Sequence, residues 1–209
     1  MSAVEAFETV TNWIVIVGVV ILLSVVVVSW LASIRTPKTA PVGSSKWFAL
    51  PVRAQVGAGL GVIVLFVYLG YRLWIPVPLR LSPTLSVILG ATGLAVFLGG
   101  LFLALWARWA LGAMYGVSTS SAAQLRVQHR LIQHGPYAFV RHPMYLGYWL
   151  VFAGVMLVYR TWTPLLLLAM CVPSFYRRAR REEQALAEGF GDEWQAYTAR
   201  TKFLIPFVY

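Results

Sequence analysis

WIVIVGVVILLSVVVVSWL, Trp13 to Leu31, is nineteen residues without a charge. A membrane-crossing helix needs roughly 20 consecutive apolar residues, so this run reads as one. Working outward, Val56 to Ile75 is a second such run, with Tyr and Trp near its end as interfacial anchors. Leu85 to Ala107 is a third. Tyr145 to Tyr159 and Thr163 to Phe175 are shorter, and Arg160 lies between them. They form two short spans or a hairpin that does not fully cross. The expectation is an all-α integral membrane protein with five transmembrane helices, the last two a short hairpin, followed by a helical C-terminal tail.

Composition agrees. Of 209 residues, 59% are hydrophobic and only 11% charged, against about 25% charged in soluble domains. Mean hydropathy is +0.73. A single cysteine, Cys171, excludes a disulfide framework and a multi-cysteine metal site, and no metal is expected. The opening MSAVEAFETV carries Glu5 and Glu8 but no basic residue, so no secretory signal is expected. The net charge of +10 is compatible with nucleic acid. The cations, however, sit at the ends of hydrophobic segments, which points instead to membrane topology, with no nucleic-acid partner.

Fourteen cations fall on one side of the expected membrane. They are Arg35, Lys38, Lys46 and Arg53 after segment one, then Arg108, Arg126, Arg130 and Arg141 after segment three. Arg177, Arg178, Arg180, Arg181, Arg200 and Lys202 follow segment five. The other side holds three: Arg72, Arg80 and Arg160. The bias places the N-terminus outside and the tail in the cytoplasm.

Acidic residues are sparse. Of the seven, Glu5 and Glu8 stand at the N-terminus, and Glu182, Glu183, Glu188, Asp192 and Glu193 stand in the tail. Chemistry that needs a carboxylate must draw on one of these ends. Two polar stretches share the cytoplasmic face: the loop from Trp109 to His142 and the tail from Arg177 onward. The tail reads as a helix broken near Gly189 to Gly191, then a short second helix, with FLIPF folding back toward the membrane surface. Residues 1–108 are read as three membrane helices and their loops, and 109–209 as a core carrying the chemistry.

Gly57-Ala58-Gly59-Leu60-Gly61 spells GxGxG, but inside an apolar segment and with no acid in the following hundred positions to hold a ribose. It is read as small residues that permit close helix packing. A Rossmann fold is excluded.

The polar loop carries HRLIQHGPY, His129 to Tyr137, in which Gly135-Pro136 marks a turn. Alone, His129 and His134 would be ordinary surface residues. RHPMY, Arg141 to Tyr145, is harder to dismiss. Arg141 can snorkel to the headgroups and Pro143 can start a helix. Neither explains His142, or the aromatic residues on both sides. Cationic and imidazole donors beside an aromatic face suit a flat, partly charged ligand at the membrane interface. In the tail, Arg178 and Glu182 are four apart and share a helix face, with Glu183 adjacent. An ordinary surface ion pair would account for the spacing. Yet these carboxylates stand where they can close over RHPMY.

HRLIQHGPYAFVRHPMYLGYW, followed after one hairpin by EEQALAEGFGDEWQAY and LIPF, closely resembles the isoprenylcysteine carboxyl methyltransferase family. Membrane phospholipid methyltransferases are relatives, and sterol reductases share a related C-terminal core. The resemblance runs from about Leu125 to the C-terminus. Family members often carry Thr where this chain has Gln133, and Gly116 to Arg126 aligns with nothing clear. The resemblance implies a membrane enzyme using S-adenosylmethionine outside a Rossmann fold. Carried over by position, cofactor contacts fall on His129, Arg130, Leu131, Ile132, Tyr137, His142, Pro143, Met144, Tyr145 and Glu182, with Arg141 beside them. Arg178 is implied in substrate binding.

The chemistry of those residue types is coherent. Aromatic rings can stack on adenine or face a sulfonium. Glu182 can accept from ribose hydroxyls or an ammonium. A carboxylate acceptor is already ionised and needs only proximity and desolvation, with Arg178 to orient it. An amine acceptor would have to lose a proton, and Glu183 is the nearest group to take it. The acceptor is expected to be lipophilic and to enter from the bilayer: an isoprenylcysteine-like or small isoprenoid carboxylate in a prokaryotic plasma membrane. Alternatives are a thiol or a phospholipid amine as acceptor, a non-enzymatic protein binding anionic lipid or a partner, and a reductase with the same C-terminal core.

Overall fold

The computed structural model describes residues 2–34, 42–43, 50–115, 122–123 and 129–205. Among the described residues six α-helices follow one another: α1 (Ala3–Ile34), α2 (Val52–Arg72), α3 (Pro83–Leu111), α4 (Pro143–Tyr159), α5 (Trp162–Phe190) and α6 (Asp192–Arg200). Among the described residues, extended pairing is confined to two single bridges and a two-residue antiparallel ribbon. The ribbon pairs β1 (Val42–Gly43) with β2 (Ala122–Ala123).

Three helix starts have a clear local cause. Ser2 and Glu5 form a reciprocal cap for α1: the Ser2 backbone N–H donates to Glu5 at 2.7 Å and the Glu5 N–H to Ser2 Oγ at 3.2 Å. Ser82 Oγ accepts from the Leu85 N–H ahead of Pro83 at the first turn of α3. Pro143 opens α4 in the same way. Gly191, at φ 50°, breaks the tail between α5 and α6. That break lies within the expected Gly189–Gly191 interval.

Val4–Ala32 and Pro83–Met114 are long and apolar enough to cross a membrane, whereas Val56–Arg72 and Pro143–Tyr159 are shorter apolar helices. α2 exposes large apolar side chains around its whole circumference, including Val64 at 68% and Val67 at 67%. In water that surface would aggregate. Against lipid it is the expected exterior, and the chain is an integral membrane protein.

α3 and α4 form the tightest pair. A Cβ on Gly154 would stand 2.5 Å from Phe97 N, and one on Gly147 would stand 2.7 Å from Ala104 N. From the other side, a Cβ on Gly93 or Gly100 would meet Leu157 or Leu150 at 2.8 and 2.7 Å. These glycines let the backbones touch. The glycine motif in α2 behaves differently from expectation. Only Gly59 packs, against Trp30, while Cβ atoms on Gly57 and Gly61 would meet open space.

Two expected boundaries move. α2 stops at Arg72 rather than reaching Ile75, because residues 75–77 pair with the α4–α5 turn: Val77 N donates to Arg160 O and Trp162 N to Ile75 O. The fifth apolar segment and the cationic tail are one continuous helix. The arm of α5 that leaves the apolar hairpin therefore carries its glutamates rigidly back over the start of α4. Arg35, Lys38, Lys46 and Arg126, used in the charge count, lie outside the described residues, as does most of Gly116 to Arg126.

Candidate active site

The segment before α4 is fixed first. A 3-10 turn spans Gly135–Ala138, with Gly135 at φ 61° and Pro136 next. Residues 140–142 then pair with the chain end: Arg141 N donates to Lys202 O at 2.8 Å and His142 N to Phe203 O at 3.2 Å. Phe203 and Leu204 are buried against Tyr145 and Ala179. Residues 202–204 thus fold onto the segment that leads into α4; Pro206 and Phe207 lie outside the described residues. Tyr197 of α6 staples the same loop, its hydroxyl donating to Tyr137 O at 2.7 Å.

Gln133, where relatives often have Thr, joins the loop to α6. Its amide donates to Glu193 at 2.8 Å and its carbonyl oxygen accepts from Arg200. A threonine side chain has neither that amide donor nor that reach.

α5 closes over this platform. Arg141 Nε donates to Glu183 Oε1 at 2.6 Å, and Arg141 Nη1 to Thr201 O at 2.6 Å. His142, 5% exposed, places Nε2 3.3 Å from the same Glu183 oxygen. A carboxylate only accepts, so Nε2 carries the proton and Nδ1 faces Glu182 Oε2 at 3.8 Å. The Tyr145 hydroxyl donates to Glu182 Oε1 at 2.5 Å. Burial raises the Glu183 pKa, but the bonds from His142 and Arg141 outweigh it and hold the carboxyl below the usual range.

Aromatic rings line the same place. His142 stacks on Tyr145 at 5.8 Å and Tyr145 on Phe175 at 5.1 Å, while Phe203 meets His142 edge-on at 4.9 Å. The Arg178 guanidinium lies 5.7 Å from the Tyr145 ring and 6.0 Å from Phe175. Tyr137 is buried beside Ala107 and Ala110, with Ile132 and Met144 packed on that cluster. Burial pushes its phenol well up, so it stays neutral.

Residues 88–193 match the phospholipid methyltransferase family, half of the chain. The chain belongs to that family. Within it, the chain is 30% identical over 88 residues to protein-S-isoprenylcysteine O-methyltransferase of Schizosaccharomyces pombe, covering 42% of this chain and 37% of that protein. It is 33% identical over 125 residues to the Mus musculus enzyme of the same name, covering 57% and 42%. The chain thus spans about two-fifths of the length of these relatives. Its fold is similar to that of the eukaryotic intramembrane Ras methyltransferase ICMT, isoprenylcysteine carboxyl methyltransferase: TM-score 0.50, 24% identity, 79% of this chain and 57% of that one.

In this phospholipid methyltransferase family member, the residues picked out from sequence separate into groups. Arg141, His142, Tyr145, Arg178, Glu182 and Glu183 converge. Pro143 is fully buried beneath them. His129 lies further along, its ring 6.0 Å from Phe190 at the end of α5. Leu131 is half-buried, and Arg130 is exposed with its backbone N–H on Met114 Sδ. Glu183, expected as the proton acceptor for an amine substrate, is surrounded by Arg141, His142 and Arg180. A carboxylate held that way is a weak base.

Sequence reasoning missed Tyr115, Phe175 and Phe203. Tyr115 stands under the Arg108 guanidinium at 4.7 Å, and burial raises its pKa while the nearby charge of Arg178 lowers it. An aromatic residue just past the end of the third apolar run was the available signal. Among the described residues, no group of three His, Cys, Asp or Glu is placed to hold a metal.

The donor set fits S-adenosylmethionine by chemistry. Stacked rings offer a face to adenine or a sulfonium. Glu182 remains 28% exposed, with Oε1 on the Tyr145 hydroxyl and Oε2 3.8 Å from His142 Nδ1, and a carboxylate at that position is an acceptor for a diol or ammonium.

Proposed function

We propose that this chain is an integral membrane methyltransferase that moves the methyl group of S-adenosylmethionine to the carboxylate of a lipophilic acceptor, isoprenylcysteine-like or a small isoprenoid acid. The observation that carries the reading is the convergence of Glu182, Tyr145, His142 and Arg178 across the α4–α5 hairpin. The relatives named for isoprenylcysteine O-methylation support the carboxylate class.

S-adenosylmethionine, when bound, supplies an electrophilic methyl on a sulfonium. His142, Tyr145 and Glu182 would hold it. Arg178 presents a planar guanidinium with paired donors, the geometry that orients a carboxylate. Phe175 and Tyr145 strip water from that guanidinium and sharpen its interaction. Glu183 holds Arg141 and His142 in place. The paired state of Glu183 favours an acceptor that needs no deprotonation, a carboxylate rather than a phospholipid amine. The cation bias puts this end of the bundle in the cytoplasm and the N-terminus outside.

Radiolabelled methyl transfer tests the reading. Purified chain, labelled S-adenosylmethionine and a farnesylcysteine analogue are expected to give label released by mild base, the signature of a methyl ester. Base-stable label in lipid headgroups would identify an amine acceptor instead, and no transfer to either class would refute the enzyme.

A further inference from the structure

At the end of α4 away from the Arg141–Glu183 cluster, about 25 Å along the helix, Arg160 forms the turn into α5. Its φ is 50°, and among the described residues it is the one non-glycine residue in the left-handed region. Such a backbone persists only when its surroundings hold it; here the pairing with residues 75–77 does so. The guanidinium lies over the start of α3, where Nη1 donates to Ser86 O at 3.2 Å and Leu157 O at 3.3 Å. The ion pairs among the described residues do not include it.

Arg160 lines a polar cavity of about 240 Å³ together with Glu8, Thr11, Asn12 and Ser86. Thr11 is only 3% exposed, and its hydroxyl has no hydrogen-bond partner within the protein. A buried hydroxyl left unmatched is costly and points to a missing partner. Asn12 and Tyr159 also line a second space, an apolar groove of about 620 Å³ between α1, α4 and the start of α5. The two spaces share Asn12 and Tyr159 in their walls. The groove follows α4 from Tyr159 to Tyr148, a drop of about 16 Å, or about one leaflet of the hydrocarbon core.

We propose that cavity and groove are one binding site for a phospholipid with a zwitterionic ethanolamine headgroup. Arg160 binds the phosphate through the donors its carbonyl bonds leave over, and Glu8 faces the ammonium. Thr11 and Asn12 bond the oxygens between head and chain. One acyl chain lies along Val15, Val19, Val151 and Val155. A cation and a carboxylate across one small cavity select a zwitterion over an anionic head. The apolar groove that shares Asn12 and Tyr159 with the cavity favours a lipid over a free phosphoester. The headgroup end of the site lies at the opposite end of α4 from the Arg141–Glu183 cluster.

Native mass spectrometry of the full chain, delipidated in detergent and titrated with phosphatidylethanolamine, tests this. One lipid per chain is expected, tighter than phosphatidylglycerol and far tighter than soluble phosphoethanolamine. Arg160→Gln removes a charge-assisted bond and is expected to weaken binding about tenfold; Arg160→Lys should recover part of it. Ile16→Trp, at an exposed groove position, should weaken the lipid while leaving the head cavity intact, and it serves if Arg160→Gln fails to fold. Undiminished binding by both variants, phosphatidylglycerol binding as tightly, or no bound lipid would overturn the proposal.

Discussion

The Tyr145 hydroxyl donates to Glu182 Oε1 at 2.5 Å, joining the first turn of α4 to the C-terminal arm of α5 across 37 positions of sequence. Through this bond an aromatic wall and a carboxylate become one surface. Tyr145→Phe keeps the ring and its stacking on His142 and Phe175 but deletes the donor. Thermal stability is expected to change little. Binding of S-adenosylhomocysteine is expected to weaken about tenfold, in line with about 1.5–3 kcal/mol for a hydrogen bond to a charged group. Calorimetry alongside thermal unfolding separates the two effects.

Glu183 behaves as a clamp. Its side chain is 13% exposed, as is that of Arg141. Removing one partner of a largely buried pair leaves the other uncompensated, at a cost of about 3–5 kcal/mol when burial is complete. Glu183→Gln is therefore expected to lower stability by about 2–3 kcal/mol, read as a fall in unfolding temperature in detergent. Arg141→Lys should show a smaller fall, because a compact ammonium keeps the charge but cannot span both Glu183 and Thr201 O as the planar guanidinium does.

The same carboxylate sets a pH dependence. Its folded pKa lies below the ordinary value of 4.5 because His142 and Arg141 outweigh burial. For a depressed acid the stabilisation is complete above the unfolded pKa and is lost as pH falls through the folded one. The unfolding temperature is expected to be insensitive to this group above pH 4.5 and to decline below it. In Glu183→Gln the acid limb of that profile should flatten.

Helix packing gives a sharp contrast between glycines. Gly154→Ala would drive a methyl into the Phe97 backbone at 2.5 Å and is expected to destabilise by about 1–3 kcal/mol. Gly57→Ala faces open space in a helix and is expected to be neutral or to stabilise by about 0.5–1 kcal/mol. Unfolding temperatures of the two variants decide this directly.

This contrast also marks what the sequence made legible. Pro143 opens a helix and Gly191 breaks one because proline and glycine constrain backbone locally, so both features could be read in place. The apolar runs declared their membrane setting by length alone. Which glycines pack could not be read that way. Gly57, Gly59 and Gly61 look alike in sequence, but only Gly59 faces a neighbour, Trp30. Gly93, Gly100, Gly147 and Gly154 are scattered through apolar runs, Gly100 directly after Gly99, yet they carry the α3–α4 contact. The meeting of RHPMY with Glu182 and Glu183 was foreseeable because acids are scarce. The division of labour between the two glutamates was not. It depends on α5 running unbroken from the hairpin, which turns Glu183 toward Arg141 and leaves Glu182 to Tyr145.

The most direct measurement is calorimetry of S-adenosylhomocysteine binding to the detergent-purified full chain, compared with Glu182→Ala and His142→Ala. Saturable binding by the unaltered protein, weakened at least tenfold in both variants, is the expected result. Absence of binding, or affinity undiminished in both variants that still unfold cooperatively, would contradict the assignment of this wall to the methyl donor.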